Sequence, residues 1–190
     1  MDINGRDVVF GHYTSKVILD YNTLSRFVEA YRVLGKKIIL TIGSWDLLHP
    51  GHVRYLVMAK SYGDVLVVGV DSDVAIKRYK LETRPLIPQE QRMEMLSYQG
   101  CVDLITDISD VDSNGRWHCG LLRFIKPEIF VAVEDSYSEE QRLEIKKFCG
   151  SLVVLPPQAT DISTTKIIQD VLKKHWDEFL HQGTQGASQP

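Results

Sequence analysis

Short β-branched runs alternate with helically spaced stretches along nearly the whole chain, and this alternation restricts the fold more than any other feature. The runs are Lys37–Ile42, Val65–Val70, Val102–Ile105, Ile129–Val133 and Leu152–Leu155. Between them, Leu24, Phe27, Val28, Tyr31 and Leu34 recur at helical spacing, and Val53–Tyr62, Gln89–Tyr98, Trp117–Ile125, Ser138–Phe148 and Thr164–Leu180 read the same way. Continuous apolar strands separated by helices predict a parallel sheet buried on both faces. Right-handed crossovers then give a doubly wound, five-stranded, Rossmann-like α/β domain. Such sheets bind ligands beyond the carboxyl ends of their strands, where the winding reverses. That directs attention to the loop after Ile42.

The expected domain is 22–180, preceded by a lead-in or lid at 1–21 and followed by a disordered tail at 181–190 rich in Gly, Gln, Ser and Thr. At 190 residues and 44% hydrophobic, the chain can bury a full core, which excludes a disordered or collagen-like protein. A net charge of −3 gives no basic field for nucleic acid. No apolar run approaches the roughly 20 residues of a membrane span, and the first residues lack a secretory pattern. A cytoplasmic location is expected. Cys101, Cys119 and Cys149 are scattered, which predicts reduced thiols and neither a disulfide framework nor a zinc site.

The loop after the first strand reads Gly43-Ser44-Trp45-Asp46-Leu47-Leu48-His49-Pro50-Gly51-His52. Gly43 lets backbone amides face a phosphate, and two imidazoles beside a helix N-terminus can donate to anionic oxygens. Asp46 could orient this turn through bonds to backbone. Two histidines three apart make a poor metal site without further ligands, so no protein metal site is expected. Neither GxGxxG nor GxxxxGK[ST] occurs, which removes the dinucleotide-binding and P-loop readings. Ser163-Thr164-Thr165 opens the last helix, as an ordinary N-cap or as a phosphate grip. Lys77, Lys80, Arg84 and Arg92 form a cationic cluster that could close over polyphosphate or lie solvated. Asp71 and Asp73 follow the second strand, where a ribose or a metal-bound water would be met; Asp73 could equally cap a helix.

Taken in order, Gly43–Asp46 with His49–His52, Ile162–Ile167, and the stretch from Val70 through Lys77, Lys80, Arg84 and Arg92 resemble the cytidylyltransferase-like nucleotidyltransferases. The likeness is greatest to the adenylyltransferase domain of ADP-heptose synthases, with a further similarity to glycerol-3-phosphate cytidylyltransferases. The resemblance implies transfer of a nucleotidyl group, AMP first, from a triphosphate to a small phosphorylated acceptor such as a sugar 1-phosphate. The alternatives are a CTP-dependent enzyme acting on a glycerol 3-phosphate-like alcohol, or a catalytically degenerate nucleotide-binding regulator. It also implies Mg2+ carried by the triphosphate and a homodimer. By the same resemblance His49, His52, Lys77 and Thr165 are catalytic. Gly43, Ser44, Trp45, Asp46, Gly51, Asp71, Arg92, Ser163 and Thr164 bind nucleotide, and Lys80, Arg84, Glu134 and Asp135 face the acceptor. Three departures stand out. Trp45 replaces the usual Phe. Glu134-Asp135-Ser136-Tyr137 lies where a KGGDY-type element is usual, and Gln158–Asp161 lacks the arginine of the glycerol-3-phosphate enzymes.

Overall fold

The computed structural model describes residues 15–113, 117 and 119–185. Its elements in chain order are α1 (Tyr21–Val33), β1 (Ile38–Gly43), α2 (Pro50–Lys60), β2 (Val65–Asp71), α3 (Asp73–Tyr79) and α4 (Gln89–Ser97). They continue with β3 (Leu104–Ile108), α5 (Gly120–Ile125), β4 (Ile129–Val133), α6 (Glu139–Lys146), β5 (Ser151–Leu155) and α7 (Thr164–Gln185). The five strands form one parallel sheet in the order β3-β2-β1-β4-β5. Winding therefore reverses between β1 and β4, and Gly43 ends the central strand at that point.

Alternate strand residues feed two cores. Ile38, Leu40, Val65 and Val67 pack with Leu24 and Val28 of α1, Leu121 and Leu122 of α5 and Ile145 of α6. Ile39, Leu66, Val68 and Val70 pack on the other face with Tyr55, Leu56 and Ala59 of α2 and Met93 and Leu96 of α4. Each fully buried Leu, Ile or Val adds about 1.5–3 kcal/mol of transfer free energy, so both faces contribute substantially. At the amino end of β1, Glu128 ties the layers together. It accepts from Ile38 N at 2.9 Å and pairs with Arg32 Nε of α1 at 2.9 Å.

Several boundaries differ from expectation. β3 begins two residues later and runs to Ile108, because Thr106, polar by type, is wholly buried in the strand. Helix α3 has no counterpart in the periodicity reading: it has seven residues and buries only Ala75 and Ile76, too little for a pattern. The lead-in is described from residue 15. Ile18 N donates to Ile105 O and Ile105 N to Lys16 O, both at 2.8 Å, so this segment covers the β3 edge. Residues 1–14 lie outside the described residues. The expected tail at 181–190 is corrected in its first half, since α7 continues to Gln185. Extending an existing helix adds one hydrogen bond per residue fixed, and Gly183 alone opposes it by about 1 kcal/mol. Residues 186–190 lie outside the described residues. Among the described residues, no helix is long and apolar enough to cross a membrane.

Candidate active site

The turn leaving β1 is built by unusual backbone. Trp45 and Leu47 adopt left-handed conformations, with φ of 53° and 49°, each costing on the order of 1–2 kcal/mol for a residue with a Cβ. Asp46 between them holds the turn in place. Its carboxylate is fully buried, accepts from Leu86 N at 3.1 Å and Ile87 N at 3.0 Å, and pairs with Arg84 Nε at 2.9 Å. The Asp46 carboxylate, expected to bind nucleotide or to orient the turn, therefore faces the 84–87 segment.

The turn delivers His49 as the N-cap of α2, with His52 in the first turn. Their rings stack with centroids 3.9 Å apart and 22° between planes. Gly51 makes this possible, since a Cβ there would lie 2.9 Å from Ala159 Cβ and 3.0 Å from His49 Cε1. Both Nδ1 atoms are buried without a hydrogen-bond partner, leaving Nε2 as the nitrogen each ring can offer to a ligand. Burial lowers the pKa of His49, and it pushes His52 down to about 3, helped by His49 and Lys80 nearby. Both rings are thus neutral near pH 7. Unfolded, His52 titrates near 6.5, so between about 3 and 6.5 the unfolded chain binds the extra proton. Stability should be complete above pH 6.5 and fall as the pH drops through that window. His52→Gln should make the protein roughly 2–4 kcal/mol less acid-sensitive between pH 7 and 4 in denaturant titrations.

The histidines open onto a cleft of about 1160 Å³. That exceeds an ordinary small-molecule pocket and has room for two substrates. Gly43, Ser44, Trp45, Asp71, Arg84, Asp135, Ser163, Thr164 and Thr165 also line it. Thr164 Oγ1 donates to Asp46 O at 2.8 Å and Ser163 Oγ accepts from Lys166 N at 3.1 Å, so the first turn of α7 is locked to the histidine turn.

The cations are distributed differently from the sequence expectation. Lys80 lines the cleft, with Nζ 2.9 Å from Ser44 Oγ; burial, and then Arg84, lower its pKa. Lys77, expected to be catalytic, is exposed on α3 and is not among the residues that line the cleft. The reason is local: Lys80 follows the last turn of α3 in a non-helical conformation, so helix geometry no longer relates it to Lys77. Arg92, expected to bind nucleotide, is placed inside the fold. It is 1% exposed, and its guanidinium donates to Ser44 O, to Asp71 O at 2.8 Å, to Ile87 O at 2.9 Å and to Asp73 Oδ1 at 2.6 Å. A signal for this existed in the sequence, since Arg92 shares the buried face of α4 with Met93 and Leu96. Glu134 is exposed outside the cleft, whereas Asp135 lines it. Arg84 lines it too, with its charge matched by Asp46.

Sequence reasoning missed an aromatic wall. Tyr79, Trp117 and Tyr137 line the cleft, and Tyr79 Oη donates to Asp71 Oδ2 at 2.6 Å. Burial raises the Asp71 pKa, against the opposing pull of that bond and of Lys80. The available signal was position: Tyr79 and Tyr137 each follow the carboxyl end of a central strand, where such a sheet binds ligands.

A cytidylyltransferase-like family model matches residues 40–170. The Bifunctional protein HldE of Geobacter metallireducens is 39% identical over 163 residues, 85% of this chain and 32% of its own length. That of Proteus mirabilis is 37% identical over 159 residues, 83% of this chain and 32% of its own. The chain thus spans about a third of the length of the curated relatives it matches. A lipopolysaccharide core biosynthesis protein from Thermoplasma volcanium superposes with a TM-score of 0.54 at 27% identity, covering 64% of this chain and 97% of that one. The pantoate-beta-alanine ligase of Francisella tularensis reaches the same score at 16% identity, covering 85% and 77%, a likeness of fold alone.

Proposed function

The chain belongs to the cytidylyltransferase-like family and is a nucleotidyltransferase enzyme, and we propose that it moves AMP from ATP to a small phosphorylated acceptor, a sugar 1-phosphate first, releasing pyrophosphate. The observation that carries this reading is the stacked His49–His52 pair at the start of α2, which lines the same cleft as the hydroxyl-rich start of α7. An oxygen of the acceptor phosphate attacks the α-phosphorus in line. The new O–P bond forms as the bond to the bridging oxygen breaks, and that oxygen's electrons leave with pyrophosphate. Nε2 of His49 and His52 donates to the α-phosphoryl oxygens as charge builds there, and Lys80 neutralises the reacting centre. Ser163, Thr164, Thr165 and the free amides of α7 hold the β- and γ-phosphates.

Magnesium enters this reading on the triphosphate, where it neutralises phosphate oxygens. The residues fit that role better than a protein cage. Asp71 and Asp135 are the carboxylates lining the cleft, and Asp71 is engaged by Tyr79. No three His, Cys, Asp or Glu side chains converge among the described residues. Gln158–Asp161, lacking an arginine, favours ATP over CTP, and a neighbour named for lipopolysaccharide core biosynthesis supports a sugar acceptor. A cytoplasmic homodimer with its transferase domain at 22–180 completes the proposal.

The test is pyrophosphate release by purified protein, scanning ATP and CTP against sugar phosphates and phosphorylated alcohols. Turnover requiring ATP and one sugar phosphate supports the proposal, and turnover with CTP and a phosphorylated alcohol replaces it. Silence with every pair, despite a nucleotide-dependent rise in melting temperature, turns it toward a regulator. In the same assay Lys80→Met should lower turnover by about 10²-fold or more, while Lys77→Met leaves it within about two-fold.

A further inference from the structure

Trp45 sits in the turn between β1 and the histidines, and what its indole does goes beyond filling a core. The ring is 4% exposed. Its Nε1 donates to Gly69 O inside β2 at 3.0 Å. Its centroid lies 5.7 Å from that of His52, in an edge-to-face arrangement at 69°. His52 is therefore held between two rings, His49 stacked at 3.9 Å and Trp45 edge-on. The backbone of Trp45 is itself left-handed, so its side chain anchors one of the two strained residues of the turn that presents both histidines. Gly43 makes space for this, since a Cβ there would lie 3.1 Å from Trp45 Cε2.

Among the described residues the His52 Nδ1 is buried without a hydrogen-bond partner, so no bond at that nitrogen fixes its ring. A ring without a polar tether is oriented by packing alone, and here the packing neighbour on one side is itself tethered to the sheet. We propose that Trp45 is a positioning residue that sets the orientation of the His52 imidazole, through its hydrogen bond to the Gly69 carbonyl. Phenylalanine would keep an aromatic edge but lose that tether, leaving the ring free to tilt. For a step that needs a donor aimed at a developing charge, a displacement of about 1 Å can cost roughly 10²-fold in rate. The kinetic part of this inference rests on the transferase reading above; the structural part does not.

The experiment compares wild type, Trp45→Phe and Glu128→Gln, the last weakening the Arg32 and Ile38 contacts at the opposite end of the sheet. Side-chain imidazole signals of His52 are followed by NMR in the free protein, and kcat and KM for ATP are measured in parallel. The expected result for Trp45→Phe is a moved His52 signal, with kcat lowered roughly 10- to 100-fold and KM within about two-fold. Glu128→Gln should lower the melting temperature with neither change. A His52 signal that stays in place in Trp45→Phe overturns the inference, as does one moved equally by Glu128→Gln. If wild type has no turnover, the transferase reading fails by itself and the imidazole signals still decide the role of Trp45. Should Trp45→Phe not fold, Trp45→Tyr, which also lacks the indole donor, is read the same way.

Discussion

Replacing His49 or His52 by alanine is expected to lower kcat by about 10²–10³-fold for each, the usual loss when one donor to a developing oxyanion is removed. The melting temperature should barely move, and that second expectation makes the experiment informative. A buried polar atom without a partner costs about 1–3 kcal/mol, and each histidine carries one at Nδ1. The fold therefore bears a penalty at both residues that alanine relieves, and this relief offsets part of the lost packing. Because the rings touch, the double variant should lose less than the product of the single losses. Calorimetry alongside kinetics separates the possibilities: large losses of both stability and rate would identify the pair as structural and remove the foundation of the proposed chemistry.

How far the sequence revealed this arrangement depended on which physical rule governed each residue. The strands were legible because Val65–Val70 and Ile129–Val133 are buried on both faces, which permits little but β-branched and aliphatic side chains. The histidine turn was legible because Gly43, Pro50 and Gly51 punctuate it. Helix α3 was not, since seven residues with two buried positions carry no periodicity. The cations were legible as a group but not in their roles. A sequence presents Lys77, Lys80, Arg84 and Arg92 as equals. Their fates are decided by tertiary partners up to 48 residues away, as with Arg92 and Ser44. Lys80 reaches the cleft, Lys77 meets solvent, Arg84 is matched by Asp46, and Arg92 becomes an internal clamp joining β1, β2, α3 and α4. Charge density pointed to the correct region, and burial then divided the work.

The largest stability loss should come from Asp46. Asp46→Ala leaves Arg84, itself 8% exposed, as an uncompensated charge, and leaves the Leu86 and Ile87 amides without their acceptor. Breaking a buried pair by deleting one partner costs about 3–5 kcal/mol, which for a domain of this size lowers the melting temperature by roughly 6–20 °C. Activity should fall too, since the turn that Asp46 closes presents both histidines, and its carbonyl accepts from Thr164 of α7. Asp46→Asn keeps one acceptor for the amides but not the charge, so its loss should be smaller. The double variant Asp46→Ala, Arg84→Met removes the orphaned guanidinium and should recover most of the stability, because an apolar replacement for a buried ion pair is often neutral. Rate should not recover with it, for the histidine turn would still lack its anchor. A loss below about 1 kcal/mol in Asp46→Ala, with substrate binding weakened instead, would mean that the carboxylate faces substrate after all, and that the Arg84 contact is incidental to the fold.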